Sequence, residues 1–465
     1  MLKHIFVAIA VMLSSPVAAQ SFSPDEAAQV DKIVANTLAN TGVPSASVAV
    51  VRGGKIIFAR AYGKQSETGA EPRADAPYQI ASVSKQFTAA AILLLQREGK
   101  LSLDDKVSKF VPGITQGDDI TIRQLLSHTS GLQDYWPQDY AFALMETPTT
   151  PQRIIDRWAK KPLDFAPGTQ WQYSNTGYVV AGLVVEKAAG VPLLDYLQAQ
   201  IFKPLGIAAI DQDLAVGPGY PQGYQRFALG PVRAERPAAK GWLFAAGELA
   251  MSATDLAKWD IARIERRVLT PAEWAIQETP AKLVDGTDNG YGLGVATGEA
   301  NGRRYVEHSG EAVGFLSENI VFLHEKAAIV VLVNSDFSNA FQSIARQISM
   351  VLFPQTASAA ATGNDETARA RRMFDMLRGG TLDRSLLTQD ANYYFTNTAL
   401  GDYKASLAPL GEPTAFESTG KDRLRGGFVN RNYRVEFGSH SLQIITYSEP
   451  GDHGRYEQFL VQPSE

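Results

Sequence analysis

The chain has 465 residues, of which 45% are apolar and 20% are charged. This composition is typical of a globular protein with two or three domains. The net charge of −5 gives little attraction for nucleic acid or for an anionic membrane surface. Because the sequence contains no cysteine, it excludes disulfides, thiolate nucleophiles and cysteine-ligated zinc sites.

The first residues have the pattern of an export signal. Lys3 provides a basic start, residues 5–13 are an unbroken apolar run, and small residues lead up to Ala19. The apolar run is too short to span a bilayer well, although an uncleaved anchor is the alternative. We therefore expect a signal peptide at residues 1–19, no stable membrane insertion, and a periplasmic or secreted mature protein. A cysteine-free chain suits the oxidising periplasm.

The elements that follow begin with a helix predicted over residues 24–40. Residues 45–63 contain two β-rich runs around Gly53-Gly54, a dipeptide typical of a two-residue hairpin turn. A second helix is predicted over residues 84–98, because Phe87, Ala91, Leu94 and Leu95 follow helical spacing and would form one apolar face.

Residues up to about 290 are predicted to be mostly helical, and strands return at 305–308, 318–323 and 327–333. Strands near both ends of this region, with helices between them, indicate that the two ends share one antiparallel sheet. The predicted fold class is therefore α+β: an antiparallel sheet flanked by helices, with an inserted helical region. This large domain would occupy residues 20–355.

A second, smaller domain is predicted after a linker at residues 356–366, where small and polar residues dominate. Residues 367–465 would form a small α+β accessory domain, with a helix over 367–377 followed by strands. A turn is expected at Asn430-Arg431-Asn432. The order of helix and strands faintly resembles the cone-shaped fold of nuclear transport factor 2, and accessory packing or binding is its expected role.

Ser82 and Lys85 form an S-x-x-K pattern at the start of the second predicted helix. Residues at i and i+3 lie on one helical face, and the helix start favours a developing negative charge. A partly desolvated lysine can take the proton of a neighbouring serine. Taken alone, the pattern is more often an N-cap serine with a solvated lysine.

Two further segments strengthen a catalytic interpretation. Residues 167–178, PGTQWQYSNTGY, contain Tyr173 and Asn175, a phenol that could carry a proton and an amide that could contact a substrate carbonyl. The glycine-flanked strand start at His308-Ser309-Gly310 could offer a backbone N–H group to an oxyanion.

Together these motifs resemble a known family. S-x-x-K with Y-S-N is similar to the pattern of class C β-lactamases and their relatives, which include D-Ala-D-Ala carboxypeptidases, D-aminopeptidases and esterases. Four further segments over residues 25–352 follow the order of that family: LLSHTSGL (125–132), PGTQWQYSN (167–175), YGLGV (291–295) and HSGEAVGF (308–315). The resemblance implies a β-lactamase/transpeptidase-like fold for the large domain.

The resemblance also implies roles for individual residues. Ser82 matches the nucleophile that forms an acyl-enzyme, and Lys85 matches the amine that accepts or relays its proton. Tyr173 matches the phenol that acts as base and returns a proton to the leaving group; which of Lys85 and Tyr173 is the principal base stays open. The implied substrate-binding residues are Asn175, Ser309, Gly310 and Glu311, with the backbone N–H groups of Ser82 and Glu311 as oxyanion donors. No metal or cofactor is implied.

His308 departs from the family pattern, because most class C lactamases carry lysine there. A histidine near its reference pKa of about 6.5 is mostly neutral at pH 7. If its cationic form gripped a carboxylate, kcat/KM for acidic substrates would fall as the pH passes that pKa. The expected function is therefore a secreted serine hydrolase acting on small D-amino-acid peptides or on esters. The alternatives are a penicillin-binding or peptidoglycan-binding protein that acylates without turnover, and a class C β-lactamase.

Three aromatic or imidazole side chains near these motifs have alternative roles. For His128 a structural role in its loop is expected, because Lys85 and Tyr173 already supply proton carriers. Trp136 could line a pocket or pack in the core, and the same two alternatives hold for Trp242.

Overall fold

The computed structural model describes residues 22–68, 71–136, 143–300, 302–354, 366–425, 428–438, 440–451 and 454–464. The predicted signal peptide and residues 356–365 of the predicted linker lie outside the described residues, so both stay predictions.

Fifteen strands are present in the described part of the chain. They are β1 Ser45–Arg52, β2 Lys55–Gly63, β3 Tyr78–Gln79, β4 Ile210–Asp211, β5 Tyr224–Gln225, β6 Arg233–Ala234, β7 Leu249–Met251, β8 Ala296–Ala300, β9 Arg303–Ala312, β10 Phe315–Phe322, β11 Ala327–Val333, β12 Ala415–Arg425, β13 Phe428–Phe437, β14 His440–Ser448 and β15 Tyr456–Pro463.

The same ranges contain fourteen α-helices. They are α1 Pro24–Thr41, α2 Lys85–Arg97, α3 Ile122–Leu126, α4 Pro151–Ile154, α5 Asn175–Ala189, α6 Leu193–Leu197, α7 Lys203–Leu205, α8 Phe244–Gly247, α9 Ala253–Ile264, α10 Pro271–Glu278, α11 Ala340–Leu352, α12 Glu366–Gly379, α13 Gln389–Tyr394 and α14 Asn397–Leu407.

A six-stranded antiparallel sheet forms the centre of the large domain, in the order β2-β1-β11-β10-β9-β8. The early strand β1 pairs with the late strand β11, and Ala46 lies opposite Val333. The predicted α+β fold, with strands from both ends of the domain in one sheet and helices inserted between them, is therefore confirmed.

Each face of this sheet packs against a different set of helices. Successive strand residues point to opposite faces, so Ala49 and Val51 belong to the core shared with α2, α5 and α9. Val48 and Val50 belong to the core shared with α1 and α11. The strands β1 and β11 are consequently buried on both sides, which explains why their sequences are apolar throughout rather than alternating.

The helix that carries the S-x-x-K lysine is buried all round. The sequence predicted one apolar face, whereas every residue from Lys85 to Leu95 is buried. The polar members of this stretch are accommodated by hydrogen bonds; Thr88, for example, donates to the carbonyl oxygen of Ala245 at 2.9 Å. A helix between a sheet and other helices needs no solvated face, and this is the packing that α2 has.

The C-terminal residues form a further core, with helices α12 and α14 against one face of the antiparallel sheet β12-β13-β14-β15, and Ala228 of the large domain packs into it. Ala370, Met373, Phe374 and Leu377 supply the helical side of this core at i, i+3, i+4 and i+7. The turn predicted at 430–432 is wrong, because these residues lie inside β13. Their Asn and Arg side chains belong to a polar strand segment, which resembles a turn in composition alone.

Polar contacts join this domain to the large one. Leu229 donates its backbone N–H to Ser406 Oγ at 3.2 Å, and Tyr393 donates its hydroxyl to Glu146 at 2.6 Å. Arg233 also pairs with Asp402.

Among the described residues, no single helix has the length and apolarity to cross a bilayer. One pair of helices joined at a 69° bend, Asn175–Ala189 and Leu193–Leu205, would meet that test only in combination.

Candidate active site

Ser82 lies in a 3₁₀ turn, Ala81–Ser84, that leads directly into α2. The sequence predicted that this serine begins an α-helix. In the structure Ser82 lies in the 3₁₀ turn, and the α-helix begins at Lys85. The residue before the serine, Ala81, has φ of +46°, which is unfavourable for a side chain with a Cβ. Strained backbone of this kind is concentrated at functional sites, since packing elsewhere must hold it.

The amine of Lys85 is completely buried, and three oxygen atoms lie within hydrogen-bond distance of it. Its Nζ lies 2.8 Å from Ser82 Oγ, 2.7 Å from Asn175 Oδ1 and 2.6 Å from the carbonyl oxygen of Ala246. The last two atoms are acceptors only. If the amine is neutral, its two N–H groups donate to these two oxygens, and its lone pair can accept the hydroxyl proton of Ser82. This arrangement allows Lys85 to take that proton.

The amide of Asn175 is oriented by Asp134, a residue that the sequence did not single out. Asn175 donates its backbone N–H to Asp134 Oδ1 at 3.0 Å and its side-chain Nδ2 to Asp134 Oδ2 at 3.3 Å. Since the amide nitrogen faces the carboxylate, the amide oxygen faces Lys85. Asp134 follows the LLSHTSGL segment by two residues, and nothing in that spacing indicates a partner forty residues further along the chain.

Replacing Asp134 with asparagine should disturb this orientation. Asparagine presents its own N–H₂ group to Asn175, so the Asn175 amide can turn its nitrogen towards Lys85. We expect kcat to fall about tenfold, the effect of losing one charge-assisted hydrogen bond of about 1.5 kcal/mol. Steady-state kinetics would check this, with Asp104→Asn as the control because Asp104 is exposed. Equal kinetics in the two variants would contradict the orienting role.

Tyr173 lies beside the same amine, which is 4.9 Å from the centroid of its ring. The ring of His128 packs on Tyr173 with 4.2 Å between centroids, and His128 Nδ1 accepts the backbone N–H of Ser174 at 3.1 Å. His128 is buried and has φ of +58°. These contacts agree with the expected structural role of His128, which is to hold the Tyr173-Ser174-Asn175 segment next to Lys85.

Strand β9 forms the opposite wall, and Gly310 allows it to approach the serine turn. A Cβ on Gly310 would lie 2.2 Å from the carbonyl oxygen of Ile80 and 2.3 Å from Ser317 Oγ, so no other residue fits. This close approach brings the predicted β9 residues to the nucleophile. A cavity of about 300 Å³ is lined by Ser82, Tyr173, Asn175, His308, Ser309, Gly310 and Glu311.

His308 is held in its neutral form. Its Nδ1 lies 2.5 Å from the carbonyl oxygen of Ser309, an acceptor, so this nitrogen carries the proton; Nε2, 2.8 Å from the Tyr291 hydroxyl, is then the acceptor. Burial, followed by the positive charge of Lys85, lowers the pKa of His308 to about 3. This agrees with the mostly neutral His308 expected at pH 7, and it leaves almost none of the cationic form near neutrality.

The pH dependence of the reaction should reflect this. Because its pKa is lowered to about 3, His308 is already neutral when the pH rises to 5, and it does not titrate between pH 5 and 8. We expect parallel profiles of kcat/KM against pH for the wild-type enzyme and His308→Asn over that range, measured with an acidic substrate. An inflection near pH 6.5 that is present in the wild type and absent from the variant would contradict this expectation.

Comparison with known proteins agrees with this geometry. The sequence profile of the Beta-lactamase family matches residues 30–349, which include all of the predicted site residues. The chain belongs to the beta-lactamase family. It is accordingly a serine hydrolase, with a beta-lactamase-family domain over most of its length.

Three individual proteins illustrate the similarity. Penicillin-binding protein 4* of Bacillus subtilis (strain 168) is 30% identical over 330 residues, which are 66% of this chain and 72% of that protein. A D-stereospecific amidohydrolase from Streptomyces sp. is 28% identical, with a TM-score of 0.61 over 71% of this chain and 99% of its own. An octameric penicillin-binding protein homologue from Pyrococcus abyssi is 21% identical, with a TM-score of 0.62 over 94% of this chain and 96% of its own.

Other residues complete the active-site cavity of this beta-lactamase-family protein. Trp136 lines it, which was one of the two alternatives for this residue, whereas Trp242 is buried and its neighbour Leu243 lines the cavity instead. The C-terminal domain contributes Arg423, Asn430 and Tyr447. The sequence offered no signal for these three residues, because they follow the catalytic motifs by more than a hundred positions.

Proposed function

We propose that this protein hydrolyses small D-amino-acid peptides or amides through an acyl-serine intermediate. The observation that carries the proposal is the hydrogen bond between Lys85 Nζ and Ser82 Oγ, beside which the amine also contacts two acceptors, Asn175 Oδ1 and the Ala246 carbonyl oxygen. The D-stereospecific amidohydrolase among its relatives supports the D-amino-acid substrate class.

The residues give a balanced route for the reaction. Ser82 Oγ attacks the substrate carbonyl carbon, and its proton passes to the Lys85–Tyr173 pair. Backbone N–H groups of Ser82 and Glu311 are proposed to stabilise the oxyanion. When the C–N bond breaks, Tyr173 returns the proton to the leaving amine. Water then attacks the acyl-serine ester, which releases the acid and regenerates the Ser82 hydroxyl.

Intact mass after reaction with a fluorophosphonate tests the nucleophile, and peptide mapping identifies the modified residue. A panel of D-Ala dipeptides, D-amino-acid amides, p-nitrophenyl esters and nitrocefin then ranks the acyl donors. We expect one adduct, on Ser82, and higher kcat/KM for D-amides than for their L-enantiomers. Label on another residue, or equal turnover of both enantiomers, would refute the proposal.

A second candidate is a penicillin-binding protein that is acylated without efficient turnover, which the similarity to penicillin-binding protein 4* favours. Stopped-flow measurement with nitrocefin separates the two functions. A burst of one equivalent of product with no steady state supports the binder, while continued turnover of any panel substrate supports the hydrolase.

We also propose that the protein is exported, because residues 1–19 have the basic start, apolar run and small-residue end of a signal peptide. Expression of the full chain in a Gram-negative host, followed by mass analysis of the periplasmic fraction, should give a protein that begins at Gln20. Recovery of the uncleaved chain in the cytosol would contradict this.

A further inference from the structure

A row of three side chains crosses the C-terminal sheet at the active-site cavity. Arg423 on β12 lies opposite Asn430 on β13, and Asn430 lies opposite Tyr447 on β14. Residues directly opposite each other in an antiparallel sheet point to the same face. All three also line the cavity that contains Ser82, so one face of this sheet covers the catalytic cleft.

The row belongs to the face that the helices of its own domain leave uncovered. Tyr433 and Ile444, which lie opposite each other, point into the core with α12 and α14. Asn430 is three residues from Tyr433, and Tyr447 is three residues from Ile444, so both point away from that core. The domain therefore uses one sheet face for its own stability and presents the other to the cavity.

The charges of the cavity give Arg423 a role. Among the described residues that line the cavity, Arg423 is the only lysine or arginine, and it is exposed. Lys85 is buried behind Ser82 and hydrogen-bonded to three oxygens, and His308 is neutral. Glu311 is the one acidic residue among the described residues of the lining.

We propose that Arg423 binds a carboxylate of the substrate, so that the C-terminal domain selects acyl donors carrying a free acid group. This inference rests on the proposed hydrolase function and specifies its substrate class. A guanidinium presents two parallel N–H donors that match the two oxygens of a carboxylate. Recognition of the acid by Arg423 would not require a cationic His308.

The experiment compares one substrate in two forms, N-acetyl-D-alanyl-D-alanine and its C-terminal carboxamide. For Arg423→Gln we expect kcat/KM for the acid to fall about 10- to 100-fold, the effect of one lost charged contact, while that for the amide stays within about twofold. Arg423→Lys keeps the charge without the fork and should be intermediate. Arg434→Gln is the matched control, because Arg434 is exposed on β13 and does not line the cavity.

A second measurement separates this inference from the hydrolase proposal. Calorimetric binding of the acid and the amide to the Ser82→Ala protein, with and without Arg423→Gln, requires no turnover. Selective loss of acid binding supports Arg423 even if neither compound is hydrolysed. Equal effects on the acid and the amide, an acid that binds no better than the amide, or no binding of either compound, would overturn the inference. Failure of fluorophosphonate to label Ser82 would refute the hydrolase proposal alone.

Discussion

Replacing Ser82 with alanine should reduce kcat/KM at least about 10³-fold, the scale seen when a covalent nucleophile is removed. Ser82 is the hydroxyl that Lys85 contacts at 2.8 Å, and no acyl-enzyme can form without it. The fold should persist, because Ser82 is only partly buried and Lys85 retains Asn175 and the Ala246 carbonyl as acceptors. Kinetics, fluorophosphonate labelling and thermal unfolding together check the prediction.

Ser84→Ala is the control within the same turn. Its hydroxyl accepts the backbone N–H of Leu249 at 3.2 Å, so its loss leaves a buried donor without that bond and should cost about 1 kcal/mol of unfolding free energy. We expect Ser84→Ala to lower the melting temperature while it keeps labelling and turnover. An active Ser82→Ala enzyme would refute the assignment of the nucleophile.

Replacing Lys85 with methionine should also lower kcat/KM by about 10³-fold or more. Methionine matches the length of the aliphatic chain but cannot accept the serine proton, so Ser82 would remain a neutral, weakly nucleophilic alcohol. The rate of fluorophosphonate labelling should fall in parallel. Stability should fall as well, by about 1–3 kcal/mol of unfolding free energy, because Asn175 Oδ1 and the Ala246 carbonyl oxygen lose their buried donor.

Lys109→Met is the matched control, since Lys109 is exposed and pairs with Asp105 on the surface. The kinetics of Tyr173→Phe then show which of the two proton carriers, Lys85 or Tyr173, acts in each step. If Lys85→Met slows labelling and Tyr173→Phe slows only the release of the leaving group, Lys85 is the principal base. Labelling at the wild-type rate in Lys85→Met would remove Lys85 from the acylation step.

Local patterns predicted the parts of the fold that depend on neighbouring residues. Residues 327–333 were predicted as a strand and form β11, and the Gly53-Gly54 turn joins β1 to β2. The prediction for α2 underestimated its burial, because a periodic apolar pattern reports one face while tertiary packing covered the others. The prediction of a turn at 430–432 was wrong for a related reason. These polar residues belong to a strand, and their side of the C-terminal sheet faces another domain.

The candidate site also has a part that local sequence patterns predict and a part that depends on long-range packing. Ser82 and Lys85 are three residues apart, so helical geometry alone brings their side chains together. Asp134, the carbonyl of Ala246 and Arg423 reach the site through long-range packing, and a backbone carbonyl has no residue signature at all. The structure places Ser82, Tyr173 and Asn175 in the lining of one cavity, with Lys85 buried and hydrogen-bonded to Ser82 and Asn175, and the variants test the roles predicted for all four.

The pairing of β1 with β11 has a consequence for the order of folding. Ala46 meets Val333 only after nearly the whole large domain has been synthesised, so β1 and β2 form an isolated hairpin until then, which is marginally stable in water. Such a distant closure implies high contact order and slow refolding. A nascent chain that stops short of β11 would expose the apolar strand β1, and it would depend on a chaperone to remain unaggregated.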